Sequence, residues 1–165
     1  MVNESFSGNN VRSKDLYVGA NLEIDDNNIP HAVYFSENNE MIFTVRNLGK
    51  PNISNINVSL VIDEIKVDNV TIDTLLSGEH QNVTLNWTVN DSYYGILASI
   101  SAEVNCFDDE YSYVDNFYNF SKRPINHTIY VRKTGGDFNQ IKEAVSCAWI
   151  NDTIIIENGT YGLYE

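Results

Sequence analysis

Eleven Asn-X-Ser/Thr triplets are the most conspicuous chemistry in this chain: Asn3, Asn52, Asn57, Asn69, Asn82, Asn86, Asn90, Asn119, Asn126, Asn151 and Asn158. Each matches the acceptor pattern for an N-linked glycan, which only a chain facing the exterior can carry. With 23 asparagines and 22 serines plus threonines among 165 residues, chance supplies about three such triplets. Two readings compete. Asn and Thr both suit strand surfaces and turns, or the excess marks a glycosylated outer surface. The second makes Asn52, Asn57, Asn69, Asn82, Asn86, Asn90, Asn119 and Asn126 the acceptor candidates.

Other reactive residue types are present without the spacing that chemistry needs. His31, His80 and His127 stand apart in turns and strand starts, with none of the His-His or Cys-Cys intervals of a zinc site. They read as surface histidines. The acidic stretches "DDNN" (25–28) and "FDDE" (107–110) offer oxygen ligands for calcium but lack the alternating register and glycine of an EF-hand loop. Solvated turns are the simpler reading, and calcium is the only cofactor they would suit. "TGGD" is a lone turn, not a phosphate loop. The aromatics of "YSYVDNFYNF" (Tyr111, Tyr113, Phe117 and Phe120) fit core packing, or a strip on which sugar rings could stack. No constellation of acid, base and nucleophile is found, so the chain reads as non-enzymatic.

Formal charge is −13, from 23 acidic and 10 basic residues. Nucleic acid is excluded as a partner, because phosphate binding needs clustered cations over a basic face. Two cysteines, Cys106 and Cys147, do not make a disulfide framework and are expected to be free. No apolar run is long enough to span a membrane, and the polar opening "MVNESFSGNNVRSKD" has no signal-peptide core.

These residues must be positioned by strands. "MIFTVRNLG", "NVSLVID", "NVTLNWTV" and "GILASISAEV" alternate apolar with polar residues at period two, the mark of half-buried antiparallel strands. The pattern predicts strands over about 15–24, 40–47, 55–63, 69–75, 81–89, 95–105 and 112–120. Seven short strands in about 105 residues predict an immunoglobulin-like antiparallel β-sandwich over 15–121, after a disordered segment 1–14. Asn82, Asn86 and Asn90 are spaced by four, so they share the wet face opposite Leu85 and Trp87. After a short basic break at 122–127, taken as a linker, the period changes. "TIYVR" reads as a strand and "DFNQIKEAVSCAW" as a short helix. That helix would be capped by Asp137, with Phe138, Ile141, Val145, Ala148 and Trp149 on one side. "DTIIIENGTY" reads as a strand ending at an Asn158-Gly159 turn. Two strands and a helix cannot build a core alone, so 128–165 is expected to be loosely ordered or to lean on the sandwich.

Residues 15–120 resemble a CARDB domain, the cell-adhesion-related immunoglobulin-like unit of prokaryotic surface proteins. The resemblance is carried by "DLYV", "NNEMIFTVRNLGKPNISNINVSLVIDEIKV", "TIDTLLSGEHQNVTLNWTV", "YGILASISAEVN" and "DDEYSYVDNFYNF". Asn47-Leu48-Gly49 matches that family's turn after the second strand, and Leu75, Gly78 and Glu79 match its turn into the fifth. Asp115-Asn116 departs from the usual Glu-Asn-Asn form of the last loop. Residues 128–165 resemble the first, incomplete coil of a right-handed parallel β-helix of the pectin-lyase-like superfamily. That match rests on Tyr130-Val131, Gly136, Phe138, Ile141, Ala144-Val145, Asp152-Thr153-Ile154 and Gly159-Thr160-Tyr161.

Together the resemblances imply an archaeal adhesin-like surface protein, extracellular, its sandwich a spacer or binding domain leading into a β-helix. Its partners would be cell-envelope or partner-cell surface components, carbohydrate among them. The alternatives are the N-terminal part of a carbohydrate-active β-helix enzyme, of the pectinesterase or lyase kind, or a sugar-binding accessory domain.

Overall fold

The computed structural model of the protein describes residues 19–106 and 114–161. Seven strands form two antiparallel sheets. β1 (Leu22–Asn28), β2 (Asn38–Asn47) and β5 (His80–Thr88) make one, in the order β1-β2-β5. β3 (Ile53–Ile62), β4 (Ile65–Leu75), β6 (Ala98–Asn105) and β7 (Phe117–Lys122) make the other, in the order β4-β3-β6-β7. A two-residue turn joins β3 to β4 at Asp63 and Glu64, both with positive φ (45° and 69°). That is the hand a tight hairpin between twisted strands requires.

Alternation does the sorting. Val58, Leu60 and Ile62 of β3 point inward beside Ile100, Ala102 and Val104 of β6, and meet Met41, Phe43 and Val45 of β2 and Val83, Leu85 and Trp87 of β5. Trp87 is nearly buried and takes an edge contact from Tyr93 at 5.2 Å. Phe43 meets Tyr118 at 6.2 Å and Phe120 at 6.5 Å. The aromatic stretch is thus divided: Tyr118 and Phe120 face the core, whereas Phe117 faces out. Tyr111 and Tyr113 lie outside the described residues.

The two turns that carried the family resemblance lock together. Asn47 is buried; its side chain donates to the carbonyls of Pro51 (2.8 Å) and Leu75 (3.1 Å) and accepts from the Gly49 amide (3.0 Å). Its backbone N–H donates to Glu79 and its carbonyl accepts from Gly78, both at 2.9 Å. Gly78 has φ +79°, and a Cβ on Gly49 would stand 2.5 Å from the Gly19 carbonyl oxygen. Neither position admits a side chain without strain.

Beyond β7 the chain forms β8 (Thr128–Val131), a short helix α1 (Ile141–Cys147) and β9 (Thr153–Ile156). β8 and β9 pair in parallel, with Ile129 beside Ile154 and Val131 beside Ile156. A second, small core contains Ile125, Ile129, Val131, Phe138 and Ala144, together with Ala32 from the β1–β2 loop.

Several boundaries differ from the sequence reading. Among the described residues the first strand runs over Leu22–Asn28, past its expected end at 24, so "DDNN" is the end of β1 and not a turn; 15–18 lie outside the described residues. Its irregular register between Asp26 and Asn28 explains why turn-type residues occur inside a strand. The last sandwich strand begins at Phe117 and runs through Lys122, into the stretch read as linker. The helix is rotated from its expected phase: Ala144 is buried, while Val145 and Trp149 are 59% and 52% exposed. Asp137 does not cap it. The cap position is Gln140, which makes no side-chain cap bond, and Asp137 instead accepts from the Tyr130 amide at 2.7 Å.

Candidate functional site

Where the chain leaves the sandwich, groups distant in sequence converge. The β1–β2 loop, residues 29–37, is fixed by Asn39. That buried amide accepts from the Tyr34 N–H at 2.7 Å and donates to the carbonyls of Tyr34, Trp87 and Glu37 at 2.9, 3.0 and 3.1 Å. The loop then pairs with the incoming chain: the Ile125 N–H donates to Val33 at 2.9 Å and the Phe35 N–H to Ile125 at 3.2 Å. Tyr34 and Glu37 are thereby presented beside His127.

His127 is held between two carboxylates, its Nδ1 2.9 Å from Asp152 and its Nε2 2.9 Å from Glu37. A neutral imidazole donates from one nitrogen only, so both bonds are satisfied together by the imidazolium. The ring stacks on Tyr34 with centroids 4.0 Å apart. The Asp152 side chain is fully hidden from solvent. It accepts from His127, from the Tyr34 hydroxyl (3.0 and 3.1 Å) and from the Trp149 N–H (2.7 Å). This donor set satisfies a buried carboxylate.

The electrostatics agree with the geometry. Hydrogen bonds to Asp152 and then Glu37 raise the His127 pKa above its usual value. For Asp152, burial acts to raise the pKa, but the bonds from the Trp149 amide, His127 and Tyr34 outweigh it and bring it below the usual carboxylate value. The Tyr34 phenol is pushed up to about 12, first by burial and then by its bond to Asp152. Nearby, the Tyr94 hydroxyl donates to Asp137 at 2.5 Å and His31 stacks on Trp149 at 4.5 Å. The arrangement fastens β8–α1–β9 to the sandwich. It contains an acid–histidine pair, and among the described residues no nucleophilic hydroxyl or thiol is bonded to the histidine. All three histidines are exposed, as the surface reading expects; what the sequence did not show is that His127 pairs with Asp152 and Glu37 and that His31 stacks on Trp149.

The sequon asparagines are distributed over the outer surface. Asn52, Asn69, Asn82, Asn90, Asn119, Asn126, Asn151 and Asn158 are exposed; Asn57 and Asn86 are half-buried; Asn3 lies outside the described residues. The buried asparagines Asn39, Asn47 and Asn116 are all outside sequons. Strand pleating puts an Asn and the hydroxyl two residues on upon the same face: Asn82 with Thr84 and Asn86 with Thr88 lie on the wet side with Val83 and Trp87 inward between them, whereas Ser59 beside Asn57 is buried. Asn57 donates to Ser59 at 3.0 Å and Asn86 to Asp68 at 3.4 Å, so their amide nitrogens are engaged.

For calcium, Asp25 lies 3.8 Å from Arg46, which also pairs with Glu23 at 3.1 Å. "FDDE" lies outside the described residues, and among the described ones no cluster of three metal-ligating side chains exists. Among the described residues neither Cys106 nor Cys147 is in a disulfide. No helix among the described residues is long and apolar enough to cross a membrane.

Two antiparallel sheets packed face to face over 22–122 define an immunoglobulin-like sandwich. The CARDB family profile matches residues 15–114, and the chain belongs to that family. Its sandwich is similar to the CARDB domain of the PF1109 protein of Pyrococcus furiosus, crystallised in complex with di-metal ions. That match has 22% identity and a TM-score of 0.56, and covers 66% of this chain and 91% of the other. It is also similar to a domain of a Methanosarcina acetivorans protein whose name places it at the cell surface, with 23% identity, a TM-score of 0.51, and coverage of 67% and 94%. No curated protein matches in sequence.

Proposed function

We propose that the chain is a non-enzymatic, extracellular surface unit of adhesin-like character. The sandwich would serve as a spacer or binding domain, and β8–α1–β9 would open a right-handed β-helix fastened to it. The observation carrying this reading is a parallel strand pair whose surface keeps large apolar residues: Ile155 and Ile156 are 43% and 47% exposed, and Ile150 is 69% exposed. Such coils bury apolar surface by stacking on a neighbour, and β9 offers a strand edge for one. A close approach at Gly136 supports the reading too, since a Cβ there would lie 2.8 Å from the Tyr130 carbonyl oxygen. The fastening at His127 and Asp152 would carry orientation from sandwich to solenoid, as a spacer must. The surface location draws on family membership, the cell-surface name of the M. acetivorans relative and the exposed sequons. The glycans would sit on Asn52, Asn69, Asn82, Asn90, Asn119 and Asn126.

The test is to append three designed parallel β-helix coils after Glu165 and measure amide exchange. Protection of the β9 amides rising to that of the added coils is the expected result. Added coils that fold while β9 exchange is unchanged would refute the solenoid reading. Cleavage of an acidic polysaccharide by the purified chain would instead favour an enzyme.

A further inference from the structure

A cavity of about 360 Å³ opens between the sandwich and the helix. Lys122 and Arg123 line it, with Leu97 and Phe138 as apolar walls and Ser121 and Ser146 as hydroxyls. In a chain carrying 23 acidic side chains, these two cations form no ion pair among the described residues. The Lys122 ammonium donates one bond, to the His31 carbonyl at 3.2 Å, which leaves two protons for another acceptor. The Arg123 guanidinium lies over the Phe138 ring at 5.2 Å, which holds its plane while its N–H edges remain available. Burial pushes the Lys122 ammonium below the usual lysine value. A half-buried cation without a counter-charge has lost hydration that an anion would restore. Among the described residues the only acidic side chain in the lining is Glu143.

We propose that this cavity binds a compact organic anion: one oxyanion, carboxylate or sulfate ester, carried on a body the size of a single sugar ring. Lys122 and Arg123 take the oxyanion and the Leu97–Phe138 wall takes the ring. Cavities of this volume suit small ligands of mixed polarity. The site lies in the joint itself, so it stands whether or not β8–α1–β9 opens a solenoid.

The probes are glucuronate, glucose 6-sulfate, glucose and inorganic sulfate, titrated by calorimetry and by NMR of the Trp149 indole and Phe138 ring. Both sugar anions are expected to bind at least about tenfold more tightly than glucose or inorganic sulfate, and a preference between them identifies the oxyanion. Lys122→Gln should weaken the anions about tenfold, and Glu143→Gln should tighten them about twofold by removing a like charge. The opposite sign of the second change separates binding from loss of fold. Equal binding of glucose, equal binding of inorganic sulfate, or no effect of either substitution overturns the proposal.

Discussion

The sandwich and the segment after it solve the same problem by different means. Among the described residues the sandwich closes 22 buried apolar side chains, Ala20 to Val104, between two sheets, and its polar locks sit at the ends of that core. The segment after β7 buries six, one of them Ala32 borrowed from the sandwich loop. So small a core stabilises little against the entropy of ordering some forty residues. What it lacks in apolar burial is supplied by polar bonds at the joint, centred on a hidden carboxylate. The lesson is that here the larger region owes its stability to area, whereas the smaller owes its placement to a few directional bonds.

That contrast can be broken at several points. The largest effect is expected from Asn47→Ala. It leaves the Leu75 and Pro51 carbonyls and the Gly49 amide without a buried partner, and should cost the sandwich about 3 kcal/mol. Denaturant unfolding followed by Trp87 fluorescence measures it; a cost below about 1 kcal/mol would mean that water replaces the amide.

Next is Asp152→Ala, which removes the acceptor of the Tyr34, His127 and Trp149 bonds. It should loosen the segment by about 2 kcal/mol while the sandwich midpoint stays fixed. Limited proteolysis should then cut within 128–161 and leave the sandwich whole. Equal loss in both regions would show one cooperative unit.

A smaller effect comes from pH. The His127 pKa is raised by folding, so its contribution is complete below the usual histidine value of 6.5 and is lost as pH rises through the folded value. Asp152 is depressed, so its contribution is present above 3.8 and is lost as pH falls through its folded value. The joint should therefore be tightest between about pH 4 and 6.5 and loosen on the alkaline side. Because His127 and Glu37 are half exposed, solvent screens their pair and the alkaline loss stays well below that of Asp152→Ala. His127→Gln should abolish the alkaline step in an NMR titration of the Trp149 indole; persistence of that step would assign it elsewhere.

The smallest effect is on the outer faces. Asn69→Gln and Asn119→Gln, both exposed, should change stability by no more than about 0.5 kcal/mol. Thermal melts of the unglycosylated protein check this.

Period-two alternation made the sandwich legible before any coordinates: Val83, Leu85 and Trp87 face in, and Asn82, Asn86 and Thr88 face out. The turns at Asn47 and Gly78 were legible as turns, though not as partners, since 28 residues separate Asn47 from Leu75. The end of the first strand was misplaced because it carries "DDNN", turn-type residues that an irregular edge tolerates. The helix phase was misjudged because seven residues give under two full turns from which to fix a period. The joint was invisible for a different reason: Glu37 and His127 are 90 residues apart, and Tyr34 and Asp152 are 118 apart. No local pattern encodes such a meeting. The nearest hint was an aspartate just before an apolar strand, where a short side chain can reach back to the Trp149 amide.

The claim that bonds at the joint, not an independent core, hold the segment is tested most directly by native-state hydrogen exchange across a denaturant series. Amides of Tyr130, Val131, Ile154 and Ile155 should open by a sub-global step, well below the free energy at which Val58, Val83 and Ile100 exchange. Asp152→Ala should lower that step further and leave the sandwich amides unchanged. Exchange of both sets at one common free energy, in the native protein and in the variant alike, would contradict the account.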